Sequence, residues 1–396
     1  MPVFPRQVIE LLSPMIRIES VTPCLVEGGS GEAKIAEFIA GWLLDSVAGV
    51  DVELVEVKPG RPNVIARLRG TGGGPTLCLH AHTDTVGYEG WPDEALMPKV
   101  DGDRIYGLGA ADGKAACAAA MLALQSLAES RARFRGDLLV AFVADGEGAS
   151  IGSEQLARQG GFDAAIVLEP RRTHEVGVEH QGFGWLDIIT RGVAAHGREQ
   201  ESGVDAIVHL AEVISRLHQL DLAKFQAYPS LLNGKTVFHT GTITGGTDYS
   251  TYPNFARLGI KIGTQPGEHL SDRIAEIHAI FAEIARIEPG FSGEVVVHMD
   301  REPFVASGHE ELQQMAAGAM MEVLGRKAKV SGMDGWTDAP LIQASGVPTL
   351  LLGSAGGNYH VPNEWASISE VIKLSAVLER IARQYLALSA PLLLAN

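Results

Sequence analysis

The chain of 396 residues has a formal net charge of −16, with 46% hydrophobic and 20% charged residues. That length exceeds what one compact core ordinarily serves, so two domains are expected. So acidic a chain is a poor partner for phosphate backbones, and nucleic acid is set aside; no basic amphipathic segment offers itself to an anionic membrane.

Apolar positions at helical spacing (Val8, Leu11, Leu12, Met15, Ile16) predict a helix over 6–20, and residues 32–48 read as a second. The opening MPVFPRQVIELL has neither a long apolar core nor a small-residue cleavage site, so no signal peptide is expected. Two short β-type runs, DVELVEV and NVIARL, precede a glycine turn at 72–74. PTLCLHAHTDTV follows as a buried strand that runs into polar residues. An alanine-rich helix is expected over 112–129, introduced by Asp112, then a buried strand over 137–144 that ends in ADGEG. Residues 151–159 read as helix, and AAIVLEP (164–170) as a third strand with an acid at its end. VPTLLLGSAGGNYH (347–360) is a fourth, ending in a glycine-rich loop and a histidine, and 367–387 closes the chain as an amphipathic helix. The longest apolar runs, such as 115–124, are too short to span a bilayer.

Alternating strands and helices predict an α/β domain with a mainly parallel sheet and helices on both faces, formed by 1–181 and 301–396. Residues 182–300 differ. Their β-α-β-β-α-β order predicts an inserted α+β, ferredoxin-like domain with two helices on one face of a small sheet. Cys24, Cys78 and Cys117 are far apart and odd in number, which suits a reducing, cytoplasmic setting rather than a disulfide framework.

In open parallel sheets, sites form outside the carboxyl ends of the strands. Four polar clusters sit at four such ends. His82 and Asp84 lie two apart, so both can face one side, and Asp84 is a natural carboxylate partner for a ligating imidazole. Asp112 reads either as a helix N-cap or as a ligand. Glu147 stands in a strand-end loop, Glu169 follows a wholly apolar strand, and His360 sits where glycines let backbone crowd a site. Two histidines and three carboxylates, His82, Asp112, Glu147, Glu169 and His360, suit two divalent ions, zinc first, with manganese or cobalt as alternatives.

The segments LHAHTDTV, YGLGAADGKAA, ADGEGASIGS, VLEP, GVAAHG and HVPNE, in this order and spacing, make the chain resemble the M20 metallopeptidase/amidohydrolase family over nearly its full length. The resemblance implies that His82 and Glu169 hold one metal, that Glu147 and His360 hold the other, and that Asp112 bridges. It implies that Asp84 orients His82, and that the insert is a lid and dimerisation domain. It further implies that His196 reaches across a homodimer to steady the tetrahedral intermediate.

Three positions depart from the family pattern. Gly146 stands where the family has a general-base glutamate, beside the ligand Glu147. Ser250 stands where the lid has an asparagine, and Gly263 where an arginine grips the substrate carboxylate. Arg257, Lys261 and Gly263 share a strand face, so Arg257 or Lys261 would in part replace that cation. Asp145, Glu199 and His180 are the nearest replacement bases in sequence. The expectation is a two-metal hydrolase of an atypical C–N bond in a small molecule; the alternatives are non-hydrolytic metal chemistry or a non-catalytic binding protein.

Overall fold

The computed structural model describes residues 3–91, 94–130, 133–333 and 335–387. The chain divides into two compact units: Met1–Val178 with Ala306–Val330 and Thr337–Asn396, and Glu179–Val305 with Ser331–Trp336.

The apolar runs become the centre of the first unit. Leu138–Val143, Leu77–His82, Ala164–Leu168 and Thr349–Leu352 lie side by side in that order, mutually parallel and buried along their lengths. Burial of both faces explains why they read as continuous apolar runs without alternation. Antiparallel strands extend the sheet: Arg61–Leu68 and then Val50–Lys58 on one side, Glu175–His180 on the other. Alternate residues such as Leu77, Leu79, Ala81, Val140, Phe142, Ile166 and Leu168 join one core with helices Pro5–Arg17, Ala33–Ser46, Lys114–Glu129, Glu310–Leu324 and Ile368–Tyr385. The intervening residues meet the helices Ile151–Gln159 and Ala339–Gln343 on the opposite face. There Asn63 Nδ2 donates to the Gly152 carbonyl at 2.9 Å, and His80 Nε2 lies 2.6 Å from Ser153 Oγ, which donates to Asp338 Oδ2 at 2.6 Å. The architecture is α/β, with a parallel centre and helices on both faces, as the sequence implied.

Two local differences matter for the site. The helix expected from 112 starts at Lys114, with Gly113 at its N-cap and no side-chain cap, so Asp112 stands in the preceding turn rather than capping. Helix Glu310–Leu324 was not anticipated, because its apolar residues (Leu312, Ala316, Ala319, Met320) are small or spaced among alanine and glycine.

In the second unit Phe238–Gly245, Phe255–Thr264, Gly182–Arg191 and Ser292–Arg301 form an antiparallel sheet in that order. Helices Ala206–Leu220 and Leu270–Ile287 cover one face, packing Leu210, Val213, Leu217 and Ile277 against Leu186, Ile188, Leu258, Ile260 and Ile262. The alternate residues, including Phe183, Trp185, Asp187, Arg257 and Lys261, face the other way.

Candidate metal centre

His82 ends the strand Leu77–His82. Glu169 directly follows Ala164–Leu168, and Glu147 lies in the turn after Leu138–Val143. His360 belongs to the loop between Gly356–Gly357 and Trp365–Ser367, two short strands of a small antiparallel sheet that continues through Arg104–Tyr106 to Lys99–Asp101. That sheet brings the His360 loop to the Asp112 turn. Glu364 completes the tie: its carboxylate accepts the N–H groups of Gly109 at 3.1 Å, Ala111 at 2.9 Å and Asp112 at 3.0 Å.

Five residues far apart in sequence thereby form two triads that share Asp112: His82–Asp112–Glu169 and Asp112–Glu147–His360, each with its donor atoms within 4.8 Å of one another. His82 Nε2 lies 3.1 Å from Asp112 Oδ1, and His360 Nε2 lies 3.3 Å from Asp112 Oδ2 and 3.1 Å from Glu147 Oε1. Bonds of about 2.0 Å at a tetrahedral zinc separate neighbouring ligands by about 3.3 Å, so these spacings suit a common small cation. The first triad is enclosed, with His82 4% exposed; His360 of the second is 46% exposed and open to solvent.

The charges call for such a cation. Burial pushes Glu169 well above the usual carboxylate range, and it raises Glu147, with Asp112 repelling both. Burial works against protonated histidine, yet hydrogen bonds to Asp112 and Asp84 hold His82 well above its ordinary value, and Asp112 and Glu147 lift His360 to about 10. Three crowded carboxylates thus draw positive charge from any group that can carry it. Imidazole and carboxylate donors in this arrangement fit divalent ions of borderline hardness.

His82 is wedged between backbone segments. A β-carbon at Gly113 would stand 2.6 Å from its Nε2, and one at Gly146 would stand 2.4 Å from its Cβ. The Asp112–Gly113 peptide bond is cis. His82 Nδ1 faces the Asp84 carbonyl at 3.2 Å and the Asp84 carboxylate at 3.5 Å. Asp84 also receives the N–H groups of Gly146 at 2.7 Å and Glu147 at 3.0 Å, linking the imidazole to the Glu147 turn. Glu364 and this second task of Asp84 escaped the sequence reading. HVPNE contained Glu364, but its partners lie some 250 positions earlier.

Of the alternative bases, Asp145 is buried and bonded to Thr22, Arg61 and the Ala149 N–H. His180 is buried in the second unit between Phe304 and Trp336, with Nδ1 2.8 Å from the Gln181 carbonyl. Glu199 is exposed in a turn of the same unit. There His196 is exposed, its Nδ1 accepting the Arg198 N–H, and it pairs with Thr251 through a β-bridge that sets it beside Ser250. Arg257 lies 3.6 Å from Asp187, whereas Lys261 Nζ lies 4.6 Å above the Phe183 ring. A β-carbon at Gly263 would meet Gln181 Oε1 at 2.8 Å and the Val237 backbone at 3.1 Å, so a side chain there requires Gln181 to shift.

The profile of peptidase family M20/M25/M40 matches residues 78–384. An acetylornithine deacetylase of Vibrio campbellii is 28% identical over 386 residues, covering 95% of this chain and 98% of its own. The N-formyl-4-amino-5-aminomethyl-2-methylpyrimidine deformylase of Bacillus subtilis is 23% identical over 408 residues, covering 94% and 93%. Among solved structures, a dinuclear metal-binding peptidase of family M20 from Bacillus subtilis superposes with a TM-score of 0.70 at 16% identity, over 96% of this chain and 98% of that one. The chain therefore belongs to peptidase family M20/M25/M40, whose members are metal-dependent hydrolases.

Proposed function

We propose that this protein is a two-metal hydrolase of an amide-type C–N bond in a small molecule. The observation that carries the reading is the pair of donor triads sharing Asp112. His82, Asp112 and Glu169 would hold one ion and Asp112, Glu147 and His360 the other; zinc suits the donors best, with manganese or cobalt next. Such ions supply Lewis acidity toward an acyl oxygen and a nucleophile at neutral pH. The protein's own part is positioning. Asp84 orients His82, Glu364 fixes the Asp112 turn, and the glycines at 113 and 146 leave room for the imidazole. The names of two full-length relatives, a deacetylase and a deformylase, agree with acyl-nitrogen cleavage.

Glycine at 146 narrows the substrate. A general base contributes roughly 10²–10⁴-fold, about 3–5 kcal/mol of barrier. Without one at this position, an activated or small acyl group such as formyl is a better substrate than an ordinary peptide. In the second unit Arg257 lies 3.6 Å from Asp187 and Lys261 lies over the Phe183 ring; Arg257 or Lys261 would supply a cation to the substrate, and Ser250, beside His196, a polar contact. A single lysine is a poorer clamp for an α-carboxylate than arginine, so the substrate need not carry one. By family resemblance His196 would act from the partner subunit of a homodimer. The free cysteines fit a cytoplasmic protein, and among the described residues no helix is long and apolar enough to cross a membrane.

The test is metal content after loading with zinc or manganese, followed by turnover of N-formyl, N-acetyl, N-succinyl and dipeptide substrates. About two ions per chain and turnover that disappears with His360→Ala and Glu169→Ala are expected. Fewer than about one ion per chain would refute the metal centre. Full occupancy without turnover of any amide would favour the second reading, a metal-binding member with other chemistry, which the bare position 146 supports.

A further inference from the structure

Three more carboxylates, Glu32, Asp84 and Asp145, gather outside the two donor triads, each offering an oxygen within 4.8 Å of the others and each buried. A cation already stands among them. Arg61, at the start of its strand, donates Nε to Glu32 Oε2 at 2.7 Å and Nη2 to Asp145 Oδ1 at 2.8 Å and Thr22 Oγ at 2.9 Å, with a further short contact to Glu32 Oε1. Thr22 Oγ donates to Asp145 Oδ1 at 2.5 Å, and the Asp145 N–H donates to Glu32 Oε1 at 3.1 Å. Asp84 takes the next two N–H groups, those of Gly146 and Glu147. Three successive backbone N–H groups of this turn thus end on two buried carboxylates, Glu32 and Asp84.

The turn needs such fixing. Asp145 has φ 70°, a left-handed conformation that a non-glycine residue keeps only when its surroundings determine it. Its neighbour Gly146 brings the backbone freedom of glycine. We propose that Arg61 is a positioning residue: it is a built-in cation that locks Asp145 to Glu32 and Thr22, and through the Asp145–Gly146–Glu147 turn it sets where Glu147 presents its carboxylate. The consequence for metal binding rests on the two-ion reading above. Guanidinium suits the task because its planar fork reaches Glu32, Asp145 and Thr22 together, which a single ammonium reaches only in part.

The test follows amide exchange at Gly146 and Glu147 by NMR in the metal-free protein, alongside calorimetric titration with Zn²⁺. Arg61→Met should speed exchange at both amides at least about tenfold while Leu138–Val143 keeps its protection. It should weaken one of the two ions by about 10–100-fold and leave the other within about twofold. Arg61→Lys should restore part of both effects, a rescue that loss of global stability alone would not follow. Should Arg61→Met fail to fold, Thr22→Val removes the hydrogen bonds of the Thr22 hydroxyl with Asp145, Arg61 and the Cys24 N–H while leaving Arg61 paired with Glu32 and Asp145, and should quicken the same two amides severalfold. Wild-type exchange at Gly146 and Glu147 in a folded Arg61→Met, or in both Arg61→Lys and Thr22→Val, would overturn the proposal. A wild-type protein that binds no Zn²⁺ would refute the two-ion reading instead, and the exchange rates would still decide the role of Arg61.

Discussion

Gly113 and Gly146 bracket the His82 imidazole so closely that a β-carbon at 146 would overlap His82 Cβ at 2.4 Å. Glycine at 146 is therefore a packing requirement of this backbone as well as the loss of an acid. Gly146→Ala should destabilise the protein by about 1–3 kcal/mol through overpacking and weaken the ion assigned to His82. Urea unfolding and zinc titration check this; unchanged values for both would show that the turn relaxes freely. A second residue-scale prediction concerns the buried His80–Ser153–Asp338 cluster. Burial opposes the Asp338 carboxylate, but hydrogen bonds from His80 and Ser153 outweigh it and hold its pKa below the usual range. A depressed folded pKa gives stability that is present above the unfolded value and lost as pH falls through the folded one. Asp338→Asn should thus cost about 1–3 kcal/mol near neutrality. That difference should shrink as pH drops below about 4, where the wild-type carboxylate also takes up a proton. Denaturant unfolding of the metal-free protein across that range decides it, and a pH-independent difference would mean that packing alone is at stake. At this scale the sequence exposed much of the site. His82, Glu147, Glu169 and His360 each closed or followed a recognisable strand and Asp112 introduced a recognisable helix, and the structure brings the five side chains together. Glu32, Arg61 and Thr22 carried no local signal, because their partner Asp145 lies 84 or more positions away from each.

The elements legible in advance were those buried on both faces. Leu77–His82, Leu138–Val143, Ala164–Leu168 and Thr349–Leu352 are nearly pure apolar runs, since helices cover the sheet on each side. The small sheet under the His360 loop was not legible. Its strands have two or three residues, and Lys99–Asp101 is exposed throughout, so no period marks them. Yet this sheet delivers Glu364 to the Asp112 turn, where three N–H groups converge on one buried carboxylate. Glu364→Gln keeps the shape but turns an NH₂ group toward at least one of those donors. It should cost about 1–3 kcal/mol and lower metal affinity by about 10–100-fold, because both ions share Asp112. Zinc titration with unfolding on the same variant tests the point. An affinity equal to wild type would show that the turn holds its place without Glu364.

Across the whole first unit, the five donors come from the ends of three parallel strands, the turn before helix Lys114–Glu129 and the 356–365 loop, so a pair of ions would act as a cross-link between distant parts of the chain. Without ions, Asp112, Glu147 and Glu169 face one another with little solvent to separate them, and burial already pushes two of the three toward protonation. Loading should therefore stabilise the protein by mass action. Each site filled at about 100 times its dissociation constant adds about 2.7 kcal/mol, provided that the unfolded chain binds the ion weakly. For two sites that is about 5 kcal/mol, which at about 2.1 cal/mol/K of unfolding entropy per residue corresponds, for a chain of 396 residues, to a rise in Tm of roughly 6 °C. Thermal unfolding in chelator and in graded zinc measures it. The expected curve rises with ion concentration in two steps, the enclosed His82–Glu169 position filling before the solvent-open His360 position, because a preformed, shielded site loses less to competing water. A single step would mean that the ions bind together or that only one is held, and an unchanged Tm would remove the cross-link altogether.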